Sequence, residues 1–417
     1  MQNHSKRFQI FSAYIGNFFE HYDKALFVIL APFLAAELFP DYDSIHALIL
    51  TYAMLPIGMI ARPFGSLFFG MIGDTKGRVQ ALRVSLFGMG LVSASVILIP
   101  TYGSVGFLAP ILFSLARLLA NFFSAGETMG GAVFILENSS DQKHDLLSGF
   151  YNASTILGYL IASGFVSCFA YFQIIETHWR LLYLIGSLTC LVGCLFRLGP
   201  AEAGKRKKEG WVREQFQALW ENRFVVFQIA VISGFSYSCF SIALVLMNGF
   251  IPEVTDLSKT EVAHMNTLLM LFDFVMLPLF GLLAQKTSRE FLMGMAATAA
   301  VILGIPLFLL LEGADLVTAA FVRIVTVLIG VAFSAPLHAW VMPLVRQEHR
   351  YTTLSFGYAL GTQLFGGITA AMSLWLFHCT GVISSAAWYW MGLAFCCCIV
   401  IFHSAKCEEP EISKSGS

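Results

Sequence analysis

Long apolar runs, each closed by charges or turn-forming residues, follow one another along the whole chain. They lie near residues 10–37, 46–73, 80–101, 104–137, 146–175 and 179–199, then near 223–251, 261–285, 290–311, 315–345, 350–378 and 383–404. Each is about as long as the roughly 20 apolar residues a helix needs to cross hydrocarbon. Within a bilayer, backbone N–H and C=O groups must be satisfied inside the segment, so such runs are expected to be helices. Between the sixth and seventh runs lies a polar stretch from Gly199 to Asn222 that contains Lys205, Arg206, Lys207 and Lys208. It divides the pattern six plus six: residues 1–199, a linker at 200–222, residues 223–404 and a tail at 405–417.

Composition excludes the soluble alternative. Of the 417 residues 57% are hydrophobic and 12% charged, against about 25% charged in soluble domains. The net charge of -1 gives no support for nucleic-acid binding. The nine cysteines are scattered through apolar runs without CxxC spacing, so no metal site is expected. Lys6 and Arg7 precede an apolar stretch, but Glu20, Asp23 and Lys24 interrupt it and no cleavage site follows, so the first helix is expected to remain in the mature protein. The chain has no GxxxxGK[ST] phosphate loop, HExxH or GxSxG. Nucleotide-driven transport and hydrolytic chemistry thus lack their usual signatures, and an enzyme is not expected.

Cations set the orientation, because cytoplasmic loops collect Lys and Arg. With the N-terminus inside, the inward segments hold Lys6, Arg7, Lys76, Arg78, Arg83, Lys143, Arg197, the Lys205–Lys208 cluster, Arg213, Arg223, Lys286, Arg289, Arg346, Arg350, Lys406 and Lys414. The outward loops hold Arg180 and Lys259, and the outward segments Glu37 to Asp43 and Pro252 to Asp256 lean acidic. Both termini are therefore expected in the cytoplasm, and the basic linker is explained by topology, with a lipid-headgroup patch as the alternative. A repeat underlies the two halves: Phe69-Gly70 to Arg78 is echoed at constant offset by Phe280-Gly281 to Arg289.

Arg62-Pro63-Phe64-Gly65, followed by Phe69-Gly70-Met71-Ile72-Gly73-Asp74-Thr75-Lys76-Gly77-Arg78, resembles the loop 2–3 signature of the major facilitator superfamily. Gly16-Asn17-Phe18-Phe19-Glu20-His21-Tyr22-Asp23, Ala125-Gly126-Glu127 and Trp179-Arg180 are similar to segments of its metabolite:proton symporter branch, which includes carriers of proline and betaine, citrate, 2-oxoglutarate and shikimate. The likeness is good over roughly residues 12–200 and topological beyond. It implies an all-α membrane protein with twelve transmembrane helices in two six-helix bundles, the major facilitator fold. It further implies a monomer in a bacterial inner membrane that moves a small solute by alternating access, with a proton as coupling ion and no other cofactor.

The same residues make physical sense alone. Glycines at 65, 70, 73 and 77 permit close approach and a sharp turn. Asp74 at the membrane edge can face a helix N-terminus, and Arg78 and Arg83 are available to carboxylates such as Glu137, giving a cytoplasmic latch. Charges inside the membrane cost at least ~2.5–3.5 kcal/mol each and are expected to face partners or a cavity. Glu20, Asp23 and Lys24 share one helix face, so Glu20 and Lys24 can pair while Asp23 titrates. Glu127, among Ser124, Ala125, Gly126, Gly130 and Gly131, is the leading proton-coupling candidate; alternatively it pairs with Arg117, Arg62 or Lys24. Arg117 can hold a carboxylate in a two-pronged contact. In the second half Asp273 and Arg323 can pair across helices, and His338 is the remaining secondary candidate. Asn17 and Tyr22 complete the substrate candidates in helix 1; Tyr237, Asn248, Tyr358 and Gln363 are cavity-lining candidates from position alone.

His21 and Lys24 depart from the branch pattern beside the helix-1 motif, and Lys24 favours an anionic solute. Gln285 and Ser288 replace the Asp and Gly of the loop motif, so an asymmetric latch is expected. An exchanger, an efflux carrier and a non-transporting membrane sensor remain the rival functions.

Overall fold

The computed structural model describes residues 2–42, 44–197 and 211–412. The expected runs appear as α1 (Gln2–Leu38), α2 (Ser44–Lys76), α3 (Arg78–Ile97), α4 (Leu108–Glu137), α5 (Asp141–Tyr171), α6 (Arg180–Phe196), α7 (Arg223–Val254), α8 (Lys259–Lys286), α9 (Arg289–Leu309), α10 (Leu316–Leu344), α11 (Arg350–Thr380) and α12 (Trp388–Ile412). Among the described residues nine of these are long and apolar enough to cross a membrane, and Arg180–Phe196 is a shorter apolar helix. An additional helix, Trp211–Glu221, precedes α7. The basic cluster 205–208, Asp43 and Lys414 lie outside the described residues, as do the side chains of Lys6, Arg7, Lys406 and Cys407.

Local chemistry sets the ends. α8 opens on a capping box in which Ser258 Oγ accepts from the Glu261 amide at 3.2 Å and Glu261 accepts from the Ser258 amide at 2.9 Å. Ser288 and Asp315 cap α9 and α10 by a single bond each, their side chains accepting from the amides of Phe291 and Thr318. α3 stops at Ile97 rather than near 101, because the residues before Pro100 are steered out of helical geometry. The run from 104 is likewise interrupted, with Gly106 at φ 57° between a short turn and α4. Gly77 alone joins α2 to α3 at φ 100°, a backbone region that side chains rarely adopt.

Contacts divide the chain into two compact units. Unit 1 comprises Met1–Asn138, Ser154–Trp220 and Arg346–Phe356. Its core runs along α1 through Tyr22, Leu26, Phe27, Leu30 and Leu34, all nearly inaccessible. Phe113, Trp179 and Tyr183 pack edge-on beside them, with ring centroids 6.0–6.5 Å apart. Unit 2 comprises Ser139–Ala153, Glu221–Val345 and Gly357–Ser417. There Phe235 lies 4.6 Å from Phe333 and stacks on Trp390 at 6.4 Å. Two of its helices contain wide turns of π geometry, Ser241–Leu246 in α7 and Gly361–Gly366 in α11. In both units large apolar side chains such as Phe64, Leu91, Phe224 and Leu268 stay exposed, as lipid-facing surfaces require.

Candidate functional site

The interior of unit 1 holds a chain of ion pairs built around α1. The spacing Glu20, Asp23, Lys24 puts three charges on successive turns, and neighbouring helices supply their partners. Glu20, 1% exposed, pairs with Lys24 and accepts from Arg62 of α2 at 2.7 Å. Thr128 of α4 donates to the Glu20 carboxylate at 2.7 Å and accepts from Arg62 at 2.7 Å, closing the cluster. Asp23 accepts from Arg117 at 2.6 Å and from Ser93 at 2.8 Å. The Arg117 guanidinium also lies 5.0 Å from the centre of the Phe27 ring, a cation–π contact. A cavity of about 10 Å³, the lower limit for one water, borders Asp23 and Ser93.

Glu127 is held most completely. Arg197 makes a two-pronged contact with it at 2.6 and 2.9 Å, and donates also to the Ser12 hydroxyl at 2.9 Å, to the Ser12 carbonyl at 2.8 Å and to the Leu82 carbonyl. This corrects the expected partners Arg117, Arg62 and Lys24, and removes Arg197 from the inward loop, since it is 1% exposed. It stands one residue beyond α6 and turns its side chain back into the unit. Asn17 donates to Ser154 at 2.8 Å and to Thr155 at 2.9 Å, tying α1 to α5. The Tyr22 hydroxyl donates to the Leu182 carbonyl at 3.0 Å within the core.

The loop signature forms a second centre in unit 1. Asp74 pairs with Arg78 and accepts from the amides of Tyr351 and Thr352 at 3.1 and 2.9 Å and from the Thr352 hydroxyl at 2.7 Å. It therefore caps the N-terminus of α11, where a carboxylate is favoured by open amides and the helix dipole. Glu137 accepts from Arg78 and from Arg350, each at 3.1 Å. The Tyr351 ring occupies the space left by Gly73 and Gly130, and its hydroxyl donates to the Gly126 carbonyl. Gly65 brings α2 against the Phe122 carbonyl, Gly70 approaches Thr352, and the Pro63 carbonyl accepts from Ser66 at 2.8 Å. Arg83 departs from expectation: it donates to the Arg197 carbonyl at the end of α6 rather than to Glu137.

Unit 2 carries the echo in altered form. Arg289, at the position equivalent to Arg78, pairs with Asp145 at 3.1 Å and donates to the Ala339 carbonyl at 2.8 Å. The expected Asp273–Arg323 pair is not formed. Arg323 donates instead to Asn266 and to the carbonyls of Ala243 and Val262. His338, 3% exposed, lies 3.4 Å from both Ser148 and Asn152 and between the rings of Tyr151 and Tyr358. Gln363 is buried; Asn248 and Tyr237 are partly so.

Sequence reasoning did not single out Arg197, Ser93, Thr128, Tyr351 or Thr352. For Arg197 a signal existed, as it ends an apolar run in a chain whose buried Glu127 needed a cation. The others are ordinary helix residues that become informative only beside their partners. Together the unit 1 groups can bind an anion or move a proton, and the described residues contain no group of His, Cys, Asp and Glu arranged to hold a metal ion.

Comparisons with known proteins point to one family. A family model described as Major Facilitator Superfamily matches residues 13–371. A putative proline/betaine transporter of Staphylococcus aureus (strain MSSA476) is 27% identical over 394 residues, covering 90% of this chain and 83% of the relative. A citrate-proton symporter of Salmonella typhi is 28% identical over 399 residues, covering 91% and 90%. Among solved structures, the proton:xylose symporter XylE aligns with a TM-score of 0.74 at 16% identity, covering 97% of this chain and 96% of that one. FucP in its outward conformation aligns with a TM-score of 0.70 at 14% identity, covering 96% and 99%. Helices of spanning length, a loop signature seated on the start of α11, and a family model covering most of the sequence lead to one assignment: the chain belongs to the Major Facilitator Superfamily.

Proposed function

We propose that the chain is a secondary transporter that moves a small carboxylate-bearing solute together with protons by alternating access. The observation that carries this reading is the charge balance inside unit 1. Four cations, Lys24, Arg62, Arg117 and Arg197, accompany three carboxylates, Glu20, Asp23 and Glu127, leaving one positive charge over. Excess charge at bilayer depth is costly and is stabilised by an incoming anion. Lys24 is the most open of the four, with its side chain 19% exposed against 8%, 5% and 2% for the arginines, so it is the natural contact for a solute carboxylate. Citrate, proline and betaine, named for the relatives above, all carry a carboxylate.

Asp23 suits proton exchange better than Glu127. Its side chain is 15% exposed and borders the small cavity, whereas Glu127 is sealed under a two-pronged guanidinium. A proton on Asp23 weakens its hold on Arg117, freeing that guanidinium to take up the solute. The Asp74, Arg78 and Glu137 ties to the start of α11 serve as a latch that must open and re-form in each cycle. The cation bias of the sequence supports cytoplasmic termini, and the bacterial source of the relatives supports a place in the plasma membrane.

Proteoliposomes with an imposed proton gradient test this reading with radiolabelled citrate, succinate, proline and betaine. One of these is expected to accumulate and to leak out when an uncoupler is added. Lys24→Gln is expected to raise KM about tenfold, equivalent to ~1.4 kcal/mol of lost binding, with kcat little changed. Accumulation that ignores the gradient, or a KM indifferent to Lys24, would refute it.

A further inference from the structure

Six carboxylates that are buried or nearly so within the two units have cations beside them: Glu20 has Lys24 and Arg62, Asp23 has Arg117, Asp74 has Arg78, Glu127 has Arg197, Glu137 has Arg78 and Arg350, and Asp145 has Arg289. Asp273 differs. It lies midway along α8 and is 9% exposed, yet neither an ion pair nor a hydrogen bond reaches its carboxylate among the described residues. The elements packed on α8 leave it without a counter-charge. Arg323 of α10 is committed to Asn266, seven residues before Asp273 on the same face of α8 and so about 10 Å away along the axis. His338, further along α10, is engaged by Ser148 and Asn152. Arg289 and Glu290 of α9 are tied to Asp145 and Ser288, and Glu253 at the end of α7 is exposed.

An ionised carboxylate in that setting has little exposure and no neighbouring cation to offset its desolvation, a situation proteins resolve by neutralising the group. We propose that Asp273 is a second proton site, in unit 2, that enters this conformation as the neutral acid and exchanges its proton with water once per transport cycle. The step is a plain acid dissociation. The Oδ–H bond breaks, the electron pair stays on the carboxylate and the proton passes to water; the reverse restores the acid from the other side of the membrane. This rests on the proton-coupled reading above and extends it, because unit 1 then supplies one coupling proton through Asp23 and unit 2 another.

Two measurements test it separately. Infrared difference spectra of the lipid-reconstituted protein, taken while pH is raised, are expected to contain the carbonyl stretch of a protonated carboxylic acid. That band should be absent in Asp273→Asn and retained, slightly displaced, in Asp273→Glu. Equal band amplitude in the parent and Asp273→Asn would overturn the proposal whether or not any solute is transported. In proteoliposomes loaded with a pH-sensitive dye, citrate or proline entry is then compared with proton entry. Asp273→Asn is expected to carry fewer protons per solute by one, with transport persisting, and Asp273→Glu to restore the ratio. An unchanged ratio with a changed affinity for proline would instead make Asp273 a contact for the solute's ammonium group and defeat the proton assignment. If the infrared band behaves as expected but no solute draws protons in the parent protein, the proton-coupled reading fails while the protonated state of Asp273 stands.

Discussion

Arg197→Met is expected to destabilise the folded protein more than any other single change in unit 1, by about 3–5 kcal/mol, the usual consequence of leaving one member of a buried pair alone. Glu127 would be left 0% exposed without its guanidinium, and the contacts of Arg197 to Ser12 and Leu82 would vanish with it. Thermal unfolding in detergent, followed through the buried Trp179, reads the effect. The double variant Arg197→Met/Glu127→Leu should recover most of the loss, since replacing both charges by apolar groups of similar volume is often neutral. If the single and double variants unfold at the same temperature, the pair is not what holds α1, α4 and the end of α6 together.

The second large effect concerns the cap on α11. Asp74→Asn removes the charge that accepts from two amides, a hydroxyl and Arg78. Hydrogen bonds to charged groups contribute ~1.5–3 kcal/mol each, which corresponds to roughly tenfold to hundredfold faster opening for each bond lost. Hydrogen–deuterium exchange at Tyr351 and Thr352 is expected to accelerate by at least that much, and solute accumulation to fall with it. Exchange as slow as in the parent protein would mean that the start of α11 is fixed by Tyr351 packing alone. Glu137→Gln should give a weaker version, because Arg78 retains Asp74 and its bond to the Gln347 carbonyl at 3.1 Å.

The bilayer made much of the fold readable from sequence. A fixed hydrocarbon thickness demands runs of a certain length, and the helices from α1 to α12 follow those runs to within about five residues, except where Gly106 breaks one, Pro100 shortens another, and α1 and α12 continue eight residues beyond the apolar run into polar sequence. Near-neighbour chemistry was equally legible: Glu20 and Lys24, four apart on a helix, do pair. Partners distant in sequence were not. Asp74 was expected at some helix N-terminus, but the amide it meets belongs to Tyr351, 277 positions away. Arg197 looked like a loop cation because the end of a spanning helix and the start of a cytoplasmic loop have the same composition. Asp273 and Arg323 looked like a pair because opposite charges in apolar runs suggest one, whereas the arginine's terminal nitrogens are taken up by Asn266 and two backbone carbonyls without any carboxylate.

The wide turns in α7 and α11 bear on how such a chain can change length. A π turn holds one residue more than the α turn it replaces, so its flanks keep their facing while the extra residue is absorbed in the bulge. Losing one residue elsewhere in a spanning helix rotates everything beyond it by about 100° and turns core positions toward lipid. Ser241–Leu246 and Gly361–Gly366 are therefore the places where a spanning helix of unit 2 tolerates a single-residue gap with its packing register intact.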